Sequence, residues 1–253
     1  MFFLIRGNAE PCGMFTIGHL VLLIITSIFI AFAIKNTKDK NNEEIYKIIK
    51  ILTIIICLLE VFKISFTLFV EKITNLNDYV PLYYCSLLIY AGLLSSFGKG
   101  KLKRTGDVFL ATGGIIGGLT FMLFPTTSLP YYPAYHFVSI HSYFFHGTML
   151  YLGLILNITN YIELEKKDII YYAILLTIIC VCAYIVNEIY GSNLMFISQN
   201  FPGTFLEVLY IFLGKYYTVA ISAIQIILPF YAIFYCKKLI IKNIEYYNKF
   251  KKK

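Results

Sequence analysis

Apolar and polar positions along this chain fall into long blocks. Apolar runs cover Met14–Ile34, Ile48–Val70, Tyr79–Phe97, Val108–Phe124, a stretch between about Ala134 and Tyr161, Ile169–Val186 and Tyr217–Tyr235. Short polar loops separate them. A helix rises about 1.5 Å per residue, so about 20 apolar residues cross about 30 Å of hydrocarbon. The pattern predicts an all-α, polytopic membrane protein: a single domain over residues 1–253, built as a seven-helix transmembrane bundle. The first run is long for a signal core and ends in a Lys-rich loop, so it reads as a span rather than a cleavable signal. The fourth run is shorter and carries Gly113, Gly114, Gly117 and Gly118. Small residues at four-residue spacing let a neighbouring helix approach closely. Between the last two runs, Phe205–Leu213 reads as a re-entrant or interfacial helix.

Composition sharpens the class. The chain is 58% hydrophobic and 14% charged, whereas a soluble domain carries roughly a quarter charged residues. Its net charge of +8 would fit a nucleic-acid partner only if the basic residues formed a patch. They lie instead in alternate loops and in the tail. One side collects 17 Lys and Arg, from Lys35–Lys47, Lys99–Arg104, Lys166–Lys167 and the tail from Lys237. The other side has three, Arg6, Lys72 and Lys215. The excess of positive charge predicts the N-terminus outside and the C-terminus in the cytoplasm. The expected location is the cell membrane, multi-pass, with membrane lipids as partners. The basic, aromatic tail of residues 237–253 is expected on anionic headgroups.

Polar residues inside the runs are costly in lipid and usually face the bundle interior. Glu60 and Lys63 are three residues apart on the second run, so they share a face and can pair. His19, Cys85, His136, His141, His146, Asn187, Glu188 and Asn193 all fall toward the outer side, which predicts a polar cavity open to the outer leaflet. The three His of the fifth run are five apart, a rotation of about 140° per step, so they do not share one face. A metal would need ligands from other helices. The six Cys show no CxxC or metal-type spacing. Cys57, Cys180, Cys182 and Cys236 read as free thiols in apolar runs. No metal or cofactor is expected. Cys85 is expected about 9 Å inside a span starting at Tyr79. His141 matches that depth if the fifth span starts at Ala134, and His146 if it starts near Ser139. A Cys beside an imidazole can act as an acyl-accepting nucleophile; a packed thiol and a separately satisfied His are the structural alternative.

Three segments carry a family resemblance. VPLYYCS (Val80–Ser86), FFHGTMLYL (Phe144–Leu152) and NEIYGSNLMFISQNFPGTFLEVL (Asn187–Leu209) resemble, in order and spacing, the LPLHxC, FxxHGxxxL and N…GSN…P segments of YwaF-like bacterial membrane proteins. That family is related to the transmembrane protein 164 family. The resemblance covers spans three to seven, with spans one and two similar in hydropathy. It implies an integral membrane acyltransferase acting on phospholipid acyl chains through a Cys acyl-intermediate. Cys85 matches the nucleophile and His146 the partner His, with His141 as an alternative base. Asn193 matches the Asn of the GSN segment, and it or Asn187 would donate to the oxyanion. Tyr83 stands where the family often has His, and a Tyr there offers a hydrogen bond to substrate but no base at neutral pH. Glu60 and Lys63 would form the polar floor of the substrate cavity. Two other functions remain in view: a small-solute or ion transporter using the outer-half cavity, and a seven-span sensor or scaffold without catalysis.

Overall fold

The computed structural model describes residues 10–251, with side chains through residue 243. Arg6 and the far part of the expected headgroup-binding tail, side chains 244–253, lie outside them. Among the described residues the chain is helical, with no strand. The helices are α1 (Ile17–Thr37), α2 (Asn42–Phe69), α3 (Leu76–Tyr79), α4 (Leu87–Phe97), α5 (Lys101–Ala111), α6 (Gly113–Leu123), α7 (Phe137–Ile158), α8 (Ile169–Tyr190), α9 (Phe205–Leu213) and α10 (Tyr217–Lys251).

Among the described residues, five segments are long and apolar enough to cross a membrane: Ile17–Thr37, Asn42–Phe69, Lys101–Leu123, Lys166–Tyr190 and Phe205–Asn243. Large apolar side chains stand exposed along them, among them Ile28, Phe29 and Phe32 on α1, Ile174 and Ile178 on α8, and Ile227 and Leu228 on α10. A continuous apolar exterior of this kind is a lipid-facing surface. Helix α7 is also long, at 22 residues, but its His, Ser and Tyr side chains lower its hydropathy, and it runs through the centre. Its buried residues extend from Val138 to Leu156.

Local chemistry sets the helix ends. Asn41 and Glu44 form a reciprocal capping box that starts α2, satisfying amides that a helix N-terminus leaves unpaired. His136 caps α7: its Nδ1 accepts from Val138 N at 3.2 Å. Gly191 closes α8 in the left-handed conformation at φ 65°, its N–H donating to Asn187 O.

Two expected spans take a different form. The third run is helical only from Leu87, so α4 has 11 residues and covers about half the hydrocarbon thickness. Pro81 is the cause, because its ring disfavours the helical region for Val80, which is extended at φ −78°, ψ 119°. Cys85 therefore sits in the turn that leads into α4, not inside a helix. The depth computed from a helix starting at Tyr79 does not apply. The fourth run breaks at Thr112 (φ −119°, ψ −72°) into α5 and α6. Asn157 of α7 donates to the Ala111 carbonyl at the break, at 2.7 Å, as interrupted backbone at this depth requires.

The glycine run does what its spacing predicts. A Cβ at Gly118 would lie 2.7 Å from Leu150 N and one at Gly114 3.1 Å from Met149 O. Helices α6 and α7 thus touch backbone to backbone. On the α4–α5 hairpin, a Cβ at Gly106 would lie 2.4 Å from Ala91 O.

Candidate functional site

At one end of the bundle, charged and phenolic groups lock the helices together. Arg104 donates to both carboxylate oxygens of Asp168, at 3.0 and 2.5 Å, and to Glu163 O. Lys103 bridges Asp107 and Tyr161, each at 2.7 Å, while Ser95 donates to the other oxygen of Asp107. Lys103, Asp107 and Tyr161 of this network, with Asn42, Glu43 and Tyr46 of α2, line an open cleft of about 450 Å³. In the sequence Lys103 and Arg104 stand among the loop charges; the four-residue spacing of Lys103 and Asp107 is the signal of their pairing.

The expected site residues gather in the other half of the bundle. Glu60 and Lys63 pair as their spacing predicts, with Lys63 Nζ donating to Glu60 Oε1 at 2.7 Å. The second oxygen of Glu60 lies 3.6 Å from His141 Nε2. Both Glu60 and His141 are 6% exposed, so α2 and α7 meet there through a carboxylate and an imidazole shielded from water. The Cys85 thiol is within electrostatic reach of Glu60 and Lys63. His146 is within reach of His141 and Lys63. Cys85, Glu60, Lys63, His141 and His146 thus form one cluster, drawn from α2, the turn before α4, and α7.

Hydrogen bonds fix the state of His146. Its Nδ1 lies 2.7 Å from Ser142 O, a pure acceptor, so Nδ1 carries the proton and Nε2 the lone pair. The ring stacks on Phe121, centroids 3.6 Å apart and planes 9° from parallel. Neither Ser142 nor Phe121 was singled out from sequence; Ser142 is one helical turn before His146, and Phe121 comes from the glycine-rich α6. Among the described residues, Cys85 forms no hydrogen bond to either imidazole.

The other expected groups hold the cluster's surroundings. Asn187 makes four hydrogen bonds: Nδ2 to Leu194 O and Ser198 Oγ, and Oδ1 from Ser192 Oγ and Leu194 N. Asn193 accepts from Ser198 N and Gln199 N and donates to Gln199 O. Asn77 Oδ1 joins this loop to the Cys85 turn, accepting from Asn193 N at 2.8 Å and from the Tyr83 hydroxyl at 3.2 Å. Tyr83 also packs against Phe196, ring centroids 5.1 Å apart.

Two His stand apart. His19 accepts from Phe15 N at Nδ1, and its Nε2 lies 3.0 Å from Met122 O, which ties α1 to α6. His136 stacks on Tyr132 and places Nε2 3.6 Å from Glu71 Oε1, while the Tyr132 hydroxyl donates to Glu71 Oε2. The helical rotation that separates His136 from His141 sends each to its own glutamate on α2 and the segment that follows it.

Comparison with known proteins bears on the whole bundle. No curated protein and no solved structure matches the chain. The model of the TMEM164 family matches residues 14–235, which brings in α1 and α2, where the resemblance rested on hydropathy, along with the helices that carry Cys85, His141 and His146. The chain belongs to the TMEM164 family.

Proposed function

We propose that this protein is a membrane acyltransferase that acts on phospholipid acyl chains, with Cys85 as the group that carries the acyl chain. The observation that supports it best is the convergence of Cys85, two buried imidazoles and the Glu60–Lys63 pair in one half of the bundle, in a chain of this family. Cys85 S–H loses its proton to a His, and the thiolate attacks the ester carbonyl carbon. The C–S bond forms, the ester C–O bond breaks, and the departing lyso-lipid alcohol takes the proton. A second lyso-lipid, or water, then reverses these steps and carries the acyl group away. His146, with its lone pair on Nε2, is the base implied by the resemblance, and His141 is the alternative. The amide hydrogens of Asn187 are engaged in its loop, so we assign Asn187 and Asn193 to holding the loop beside the site and the Tyr83 hydroxyl to substrate contact. Glu60 and Lys63 line the floor.

In this reading α4 and α7 also cross, making a single domain of seven passes in the cell membrane. The N-terminus is outside, the C-terminus is cytoplasmic, and the basic end of α10 rests on anionic headgroups. A transport function is the second reading, favoured by the ion pair buried at Glu60 and Lys63, since charges held within a membrane often mark a solute path.

The test is acylation of Cys85. Purified protein in phosphatidylcholine vesicles should acquire a hydroxylamine-sensitive acyl adduct on Cys85, seen by mass spectrometry and absent from Cys85→Ala. A folded wild-type protein whose Cys85 stays unmodified, but which takes up solute in proteoliposomes, would move the assignment to transport.

A further inference from the structure

We propose that Glu60 is a positioning residue that holds His141 as the proton acceptor for Cys85; the inference rests on the acyl-transfer reading above. Its two oxygens have separate partners. Oε1 accepts from Lys63 Nζ at 2.7 Å, and Oε2 faces His141 Nε2 at 3.6 Å. Oε1 is committed to the ion pair with Lys63, which leaves Oε2 as the oxygen offered to the ring. A carboxylate oxygen in an ion pair accepts, so His141 turns Nε2–H toward Glu60 and leaves its lone pair on Nδ1. His141 Nε2 is fully buried and has no hydrogen-bond partner in this state. The gap of 3.6 Å is one that closes to a hydrogen bond when the ring becomes positive, as catalytic contacts commonly tighten during reaction.

The two His differ in how well they hold a positive charge. Protonated His141 has a carboxylate in front of it. Protonated His146 lies flat on Phe121, with its Nδ1–H already given to Ser142 O. Among the described residues, no carboxylate stands within ion-pair distance of His146. Lys63 repels a charge on either ring, and Glu60 offsets that repulsion directly only at His141. In this assignment Nδ1 of His141 takes the Cys85 proton and passes it to the departing lyso-lipid oxygen. His146 packs the wall of the site.

The groups that feel Glu60 are Lys63 and Cys57 on α2, Cys85 and Tyr90 around α4, and His141 on α7. A bare Glu60→Gln change strands Lys63 as a buried unpaired cation and is expected to weaken the fold. The informative variant is the double change Glu60→Gln with Lys63→Met, which removes both charges and keeps the volume. The experiment measures the initial rate of Cys85 acylation by phosphatidylcholine vesicles, with thermal stability recorded for each variant. The expected result is a fall of roughly 100-fold in the double variant and in His141→Asn, with stability near wild type and partial recovery in Glu60→Asp. A double variant as fast as wild type would overturn the inference, because Glu60 would then serve only to neutralise Lys63. So would loss of acylation in His146→Asn with none in His141→Asn. Wild-type protein that never acylates Cys85 removes the acyl-transfer reading itself, and this inference with it; the two failures are thus told apart by the wild-type control.

Discussion

Gly118 on α6 lies against the backbone of His146 on α7: a Cβ added there would sit 2.8 Å from the His146 carbonyl oxygen. The contact is backbone to backbone, so neither side can yield by turning a side chain. The His146 ring in turn rests on Phe121, one turn further along α6. A residue without a side chain therefore sets where an imidazole of the candidate site stands.

Enlarging that position should be costly. Gly118→Val forces α6 and α7 apart and should destabilise the protein by about 1–3 kcal/mol, the usual range for overpacking. Thermal unfolding in detergent checks the stability. A Gly118→Val protein as stable as wild type would mean that the helices separate freely.

Asn187 ties the turn after α8 together with four hydrogen bonds. Truncation in Asn187→Ala leaves Leu194 N and Leu194 O without those partners in a buried setting. The expected loss is about 2–3 kcal/mol. Limited proteolysis should then cut within residues 191–204 where the wild type resists. Asn187→Asp keeps the acceptor oxygen and loses both donors, so it should fall between the two.

The Arg104–Asp168 pair should matter more than most ion pairs. Asp168 is fully buried, with a side chain 1% exposed, while Arg104 is 30% exposed. Solvent screening at the Arg end reduces the contribution. Removing the buried partner still strands a carboxylate-sized hole lined by Arg104 and the Glu165 amide. Asp168→Ala should cost about 2 kcal/mol, read as a lowered unfolding temperature, and Arg104→Lys should recover only part because Lys lacks the two-pronged geometry.

The seven-pass reading predicts a labelling pattern in intact cells. Single Cys replacements at Thr74 and Asn200, on a Cys-free background, should react with an impermeant maleimide. Replacements at Lys99 and Asn160 should react only after the membrane is opened. If α4 did not cross, Lys99 would label together with Thr74. If α7 did not cross, Asn160 would label differently from Lys99.

Much of this was readable in the sequence, for reasons that differ by residue. The Glu60–Lys63 pair follows from helical spacing alone, because three residues along a helix return to the same face. The close contact of α6 with α7 follows from the absence of side chains at Gly114 and Gly118. The separation of His136 from His141 follows from rotation along α7. What was not readable depends on register between elements. Spacing along α7 cannot tell which His meets a residue of α2; that Glu60 faces His141 depends on how the two helices pack. The length of α4 is not legible in hydropathy, which is blind to Pro81, whose effect is on backbone shape, not polarity. Asn187 and Asn193 read as possible donors to substrate because an amide's commitments to its own loop have no sequence signature.

The shortness of α4 has a kinetic consequence. Its 11 residues leave the rest of that column to the four-residue helix α3 and the extended and turn backbone up to Ser86, pinned by contacts such as Tyr83 to Asn77 and Tyr90 to the Pro81 carbonyl. A helix opens by breaking a ladder of mutually supporting bonds, whereas a string of turns opens a few bonds at a time and at lower cost. Amide protons of residues 74–86 should therefore exchange with deuterium well before those of α7. Cys85 lies at the end of this segment, so a local opening there uncovers its thiol while α4 and α7 keep their hydrogen-bond ladders.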